Sequence, residues 1–351
     1  MVIETMKNTH LFAYFVFFYY LCAIFVDKRI SMSNISALLK AQTQTRFSLE
    51  VLPPLRGSNS DKIFNTIEHL LPYKPLFVSV TSHRSDFIYK ELHPGVFTRV
   101  EERMRPGTVA IAYAIKQKYG LPVVPHIICS GYSQTDTENE LIDLALLNMT
   151  DILVLRGDKA KQDNRFVPSI GGFTHASELC EQVNRFNHGD LLYGDKHQFG
   201  SPFHYGVAGY PEKHEEAMNL QTDMDALKRK VDLGAEFILT QMCFDCGRFL
   251  DFVERCRAAG IDVPILPGIK PLGTLSHLTV LPSTFHVDFP DALAKRLRVC
   301  QTNDDVKKVG IEWATEQAAT YKAAGLPCVH FYTMNNSPSV EQIVKVAGLA
   351  E

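Results

Sequence analysis

Residues 151–158 read "DILVLRGD". The middle of the run is apolar and β-branched, the composition of a strand buried on both faces. Its end differs: Arg156 and Asp158, opposite charges, flank Gly157. An adhesion tripeptide would need an exposed loop on a secreted protein, and the context offers neither. The other reading is an active-site rim, where a buried strand emerges and a glycine lets the backbone turn sharply.

Working outward, seven further stretches share this character. They are "FSLEVLPP" (47–54), "LFVSVTS" (76–82), "LPVVPHIIC" (121–129), "FHYGVAGYP" (203–211), "EFILTQMCF" (236–244), "DVPILPGIKP" (262–271) and "CVHFYTM" (328–334). Amphipathic segments alternate with them, predicting helices over 58–71, 101–119, 135–149, 174–187, 214–233, 247–259 and 305–324. Ser58 and Asp61 are placed to open the first helix. Gly120, Gly234, Gly260 and Gly325 stand where a C-terminal cap belongs. Eight strands alternating with helices predict one α/β domain, a (β/α)8 TIM barrel, over 43–351. No G-x-G-x-x-G follows any strand and no G-x-x-x-x-G-K-[ST] loop occurs, so the dinucleotide fingerprint and the P-loop are absent.

Composition narrows the class. Among 351 residues, 46% are hydrophobic and 21% charged, and the net charge is −3, an ordinary globular balance. That charge provides no footprint for nucleic acid. The eight cysteines are scattered, often within apolar runs, which suits a reducing compartment rather than a disulfide framework. Cys243 and Cys246 form a lone C-x-x-C with no second pair or suitable histidines, so packing cysteines are expected and no metal site. The extension 1–42 carries an apolar run, 11–26, shorter than the ~20 residues of a typical span. It reads as a marginal membrane anchor, an uncleaved signal-like segment, or sequence upstream of a true start at Met32. Lys28 and Arg29 after it would leave the main domain in the cytosol. A cytoplasmic location is expected, with membrane contact only if the run is retained.

In such a barrel, chemistry sits at the C-terminal ends of the strands. Glu50 lies in strand one, Thr81 at the end of strand two and His126 in strand three. Arg156 and Asp158 end strand four. Tyr210 ends strand five and His214 opens the next helix; strand six carries Gln241, and strand eight His330 and Tyr332. A carboxyl such as Glu50 in a low-dielectric site has a raised pKa and can act as a general acid near neutrality. A paired structural glutamate is the plainer alternative. His126 reads more plainly as a core or rim residue than as a ligand. The run Lys228-Arg229-Lys230 is a solvated helix face or a clamp for a cofactor diphosphate.

Taken together, these stretches resemble the methylenetetrahydrofolate reductase family of flavoprotein (β/α)8 barrels. The matches are "FSLEVLPP", "KPLFVSVT", "PHIIC", "LRGD", "YPEKHEEA", "LKRKVDLGAEFILTQMCFD", "GIDVPILPGI" and "HFYTMN", in order from about residue 47 to 336. The chain ends just past the barrel, as in bacterial-type members, so a short barrel-only form is expected. The resemblance implies hydride transfer from NADH or NADPH to FAD, then to 5,10-methylenetetrahydrofolate, giving 5-methyltetrahydrofolate for methionine synthesis. It matches Glu50 to the acid that protonates N10, and Asp158 to the acid near flavin and pterin. Gln241 matches a residue that hydrogen-bonds folate. Thr81, His126, Arg156, Tyr210, His214, Asp223, Arg229 and Lys230 fall on FAD-contact positions, turning the 228–230 run from solvated face to clamp. Two positions depart from the family: Leu275 replaces an aromatic residue that packs on folate or nicotinamide, and Asn336 stands where Arg can occur. A homo-oligomer is expected. Two other readings remain: a related FAD barrel oxidising an amine such as proline, and a membrane-tethered barrel without catalysis.

Overall fold

A computed structural model describes residues 34–160 and 163–350; the apolar run 11–26 lies outside them. In chain order the elements are α1 (Ile35–Lys40), β1 (Arg46–Val51), α2 (Asp61–Leu70), β2 (Val78–Val80), β3 (Asp86–His93), β4 (Val96–Glu102), α3 (Thr108–Tyr119), β5 (Val123–Ile128), α4 (Gln134–Leu146) and β6 (Asp151–Leu155). There follow α5 (Ala176–Asn187), β7 (His204–Gly209), α6 (Leu220–Asp232), β8 (Phe237–Met242), α7 (Cys246–Ala258), β9 (Ile265–Ile269), α8 (His277–Phe285), α9 (Asp291–Leu297), α10 (Asn303–Ala323), β10 (Cys328–Tyr332) and α11 (Ser337–Ala347).

Eight strands close in the order β1-β10-β9-β8-β7-β6-β5-β2, each parallel to its neighbours. This is the (β/α)8 barrel that the apolar runs predict, and each run contributes one barrel strand. Gly120, Gly234, Gly260 and Gly325 all adopt positive φ after their helices, the geometry that a β-carbon disfavours.

The strands bury both faces. Outside the barrel, residues such as Phe47, Leu49, Val80, Val207 and Phe331 pack against the helices. Inside, Phe77, Val124, Leu153, Phe237, Leu239 and Leu266 form a separate cluster that also takes in Ile35 and Leu39 of α1. Helix α1 therefore plugs the N-terminal end of the barrel. Its first N–H, at Ile35, donates to Asp151 Oδ1 at 2.8 Å, and Asn34 accepts from the Ala37 N–H at 2.7 Å as N-cap. Ser36 Oγ donates to the Glu236 carbonyl at 3.3 Å.

The structure departs from the expected elements at several places. Residues 101–102 end β4 rather than starting a helix, and α3 begins only at Thr108, after Pro106-Gly107. The β3–β4 hairpin is antiparallel and stands off the barrel sheet. Its Phe87, Tyr89, Leu92, Val96 and Phe97 are exposed, so it lacks the buried face that makes a strand legible. The helix expected from 214 starts at Leu220, where Asn219 caps it in a capping box; residues 214–219 form the loop above β7. Asp61 does open α2, but Ser60, not Ser58, takes the N-cap position. No pattern in the sequence marked α1, α8, α9 or α11.

Candidate active site

Glu50 stands near the C-terminal end of β1, and its backbone carbonyl accepts from Thr333 Oγ1 at 2.6 Å. Its carboxyl is almost enclosed, and burial drives its pKa up to about 8 against a smaller opposing pull from Lys270. At neutral pH it therefore keeps its proton, as a general acid must. His126, on β5, presents Nε2 at 3.8 Å from Glu50 Oε2. Burial, with His83 adding to it, pushes His126 down to about 3, so its ring is neutral. Its Nε2 has no hydrogen-bond partner.

Below this level the barrel axis is polar but satisfied. His330 Nδ1 contacts Ser48 Oγ at 2.7 Å and its Nε2 contacts Ser79 Oγ at 3.2 Å. Tyr332 OH donates to the Thr240 carbonyl at 2.6 Å. The Tyr332 ring occupies the space of a side chain at Gly268: a β-carbon there would meet Tyr332 Cε2 at 2.4 Å. Glycine on β9 is thus what lets a tyrosine on β10 lie across the barrel.

The "LRGD" end behaves as a rim. Gly157 has φ +79°, and a β-carbon on it would press within 3.0 Å of Ser130 Cβ. Arg156 pairs with Glu216 and lies 4.7 Å over the Phe166 ring, while its Nε is buried without a partner. Asp158 is held above the ordinary carboxylate range by burial and by Glu215, with Arg156 pulling it back.

A second group gathers between β7 and α6. Tyr210 meets the His214 ring edge-on at 4.7 Å between centroids. The His214 N–H donates to Asp223 Oδ2 at 3.1 Å, and Lys230 Nζ donates to the Ala208 carbonyl at 2.7 Å. Burial, reinforced by Arg156, lowers His214. Beside these groups opens a cleft of about 630 Å³, bordered by Lys159, Phe166, Glu215, Glu216 and His286.

The basic run on α6 does not act as one clamp. Lys228 pairs with Asp232, Arg229 reaches Glu181 of α5 at 2.9 Å, and only Lys230 turns inward. Asp223 and Lys230 are seven residues apart and share a helix face; Arg229 is rotated off that face. Arg229, expected on an FAD-contact position, has its side chain 62% exposed and paired with Glu181. The remaining candidates lie at strand ends. Thr81 Oγ1 contacts His83 Nε2 at 3.1 Å. Gln241 uses Oε1 to accept the Met242 N–H at 2.9 Å, leaving its amide NH2 as donor. Leu275 is exposed on the loop before α8, where its N–H donates to Asn303 Oδ1 at 2.9 Å. Asn336 takes the N-cap position of α11.

Lys270 was not singled out in the sequence, although it sits in the apolar run "ILPGIKP" as Glu50 sits in its own. It follows β9 directly and is 8% exposed. Cys243 is a buried free thiol held above its ordinary pKa, to about 12, by burial, and Cys246 is the first residue of α7. Among the described residues, no cluster could hold a metal ion and no helix is long and apolar enough to cross a membrane.

The fold and these groups define a (β/α)8-barrel protein with a protonated acid at its C-terminal face and an open cleft beside it. The chain belongs to the methylenetetrahydrofolate reductase family, whose model matches residues 34–348. It is 30% identical over 312 residues to methylenetetrahydrofolate reductase 1 of Schizosaccharomyces pombe, covering 87% of this chain and 46% of that protein. It is 28% identical over 324 residues to methylenetetrahydrofolate reductase (NADH) 1 of Arabidopsis thaliana, covering 88% and 49%. The chain thus spans about half the length of these relatives. It is also 29% identical to 5,10-methylenetetrahydrofolate reductase of Escherichia coli K12, covering 89% of this chain and 94% of that one. A solved structure from Clostridium thermocellum, described as an uncharacterized protein that binds two copies of 5-methyl-5,6,7,8-tetrahydrofolic acid, superposes with a TM-score of 0.53 at 12% identity, covering 88% of this chain and 96% of that chain. That likeness bears on the fold alone.

Proposed function

We propose that the protein reduces 5,10-methylenetetrahydrofolate to 5-methyltetrahydrofolate, with NADH or NADPH as donor and FAD as bound carrier. The observation that carries this reading is Glu50, a carboxyl kept protonated at neutral pH on the C-terminal face of the barrel. Opening the folate ring requires a proton on nitrogen, and a neutral carboxylic acid in a dry site is suited to give it. Relatives named as NADH and as NADPH enzymes support a nicotinamide donor and leave both open.

The residues present fit FAD. Arg156 has a buried Nε lacking a partner, and Lys230 brings a second buried cation; together they suit a diphosphate. Asp223 suits a ribose hydroxyl, and Tyr210, His214, Thr81 and His126 add flat or hydrogen-bonding surface around it. Arg229, turned outward, is left out of this set. FAD, when bound, supplies hydride chemistry that no side chain here provides. Asp158 opposes the positive charge that develops on the substrate, Gln241 offers its free amide N–H groups, and Leu275 offers an apolar edge.

The test is the visible spectrum of the purified full chain. A flavin spectrum that bleaches under anaerobic NADH or NADPH and returns on adding methylenetetrahydrofolate is the expected result, and it names the donor. A colourless protein that FAD cannot reconstitute would remove this reading.

A further inference from the structure

Glu50 has a partner that the opening of the folate ring would bring into use. Glu50 pairs in register with Tyr332 of β10. On the other side of β10, Phe331 pairs with Ile269 of β9, the residue before Lys270. Lys270 reaches back over this neighbour, with Nζ 3.4 Å from the Tyr332 carbonyl. An ammonium group carries three donors, and this one long contact occupies at most one of them. A buried lysine just past the end of β9, one strand beyond the Tyr332 that pairs with Glu50, is an expensive arrangement unless a negative charge can form near it.

We propose that Lys270 is a positioning residue for Glu50, its ammonium stabilising the carboxylate that remains once Glu50 has given its proton away. The inference rests on the function proposed above, because it needs a step in which Glu50 is the acid. In that step the O–H bond of the Glu50 carboxyl breaks and an N–H bond forms on the substrate. The carboxylate left behind is within the electrostatic reach of the Lys270 ammonium until solvent returns the proton. Without the cation, burial alone would make Glu50 too weak an acid to release the proton readily.

The surroundings leave this role to Lys270. His126 faces Glu50 from β5 but is neutral, since burial and His83 both oppose its charge. His330 below is likewise neutral. Tyr332, from β10, is held well above its ordinary pKa by burial, with Glu50 and Tyr210 adding to it. His277, on α8, is lowered by burial and by Lys270. Lys270 itself is lowered to about 8 by burial, with Glu50 pulling it up.

The test uses two substitutions with opposite consequences. Lys270→Met keeps the length and removes the charge; Lys270→Arg keeps a permanent charge. Glutamate labelled with 13C at the carboxyl, with Glu50→Gln to assign the signal, reports the Glu50 midpoint without any ligand. Lys270→Met should raise that midpoint by about one pH unit, a roughly tenfold change in proton affinity, and Lys270→Arg should not raise it. In reoxidation of the reduced holoenzyme by methylenetetrahydrofolate, the alkaline limb of the rate should move up in Lys270→Met, with a slower rate at neutral pH. Lys270→Arg should restore the rate. A Glu50 midpoint unmoved by Lys270→Met overturns the pairing. A midpoint that moves in a protein without folate turnover upholds the pairing and instead overturns the proposed function.

Discussion

The two ends of the barrel are built from the same strands yet manage polar groups in opposite ways. At the N-terminal end, α1 closes the interior and the polar groups around it pair with one another. Asp151 takes the helix N–H, Asn34 caps the helix and touches His204, and His204 meets Glu236. At the C-terminal end, His126 Nε2 and Arg156 Nε are buried without partners. There Glu50 is kept protonated by burial and Lys270 has a single long contact. Unmet buried groups cost stability. His126 and Arg156 mark where a ligand would supply what the protein leaves open.

The largest break in this contrast would come from Glu50→Gln. The reaction with methylenetetrahydrofolate should fall by ~100-fold or more, the scale of a lost general acid; stopped-flow reoxidation of the reduced flavin measures it. The same variant tests the electrostatics. In the folded protein Glu50 titrates near 8, above its ordinary value of 4.5. Its contribution to stability is therefore complete below the unfolded pKa and is lost as pH rises through the folded one. The glutamine variant lacks that loss. In urea unfolding, its stability relative to wild type should rise between about pH 4.5 and about pH 8.

Leu39→Ala addresses the other end. Leu39 is buried in the barrel plug, so the substitution should cost about 2–5 kcal/mol in urea unfolding. Flavin content of the remaining folded protein should be unchanged. Flavin loss on opening the plug would mean that the two ends are coupled. The smallest effect belongs to Arg229→Ala. An exposed pair with Glu181 is worth less than about 1 kcal/mol, and FAD affinity should change by less than about twofold. A large loss of FAD binding would return Arg229 to the site and refute its outward placement.

The barrel was legible because strands buried on both faces leave continuous apolar runs, as in 121–129 and 236–244. The cap glycines were legible because positive φ selects them. The β3–β4 hairpin was not, since exposure on both faces removes the alternation that marks a strand. In the site, Glu50 stood out as a charge within an apolar run. Lys270 carries the same signal more weakly, because it stands at the edge of its apolar run rather than inside it. The direction of Arg229 was recoverable from helical phase alone, counting from Asp223. What the sequence could not supply is the reach of side chains across strands, such as Tyr332 lying over Gly268 to Thr240.

The plug at the N-terminal end also has a consequence in time. Helix α1 and strand β1 are among the earliest of the described elements to be synthesised, and β2 and Phe77 follow soon, yet several of their partners arrive late. Ile35 waits for Asp151, Ser36 for Glu236, and β1 for β10, where Glu50 pairs with Tyr332. At translation rates of ~5–20 residues per second, that last wait is roughly 15–60 s. Through this interval β1 has only its β2 edge paired, and α1 lacks most of the barrel interior it plugs. Barrel closure thus waits on β10, which joins the first barrel strand to the last.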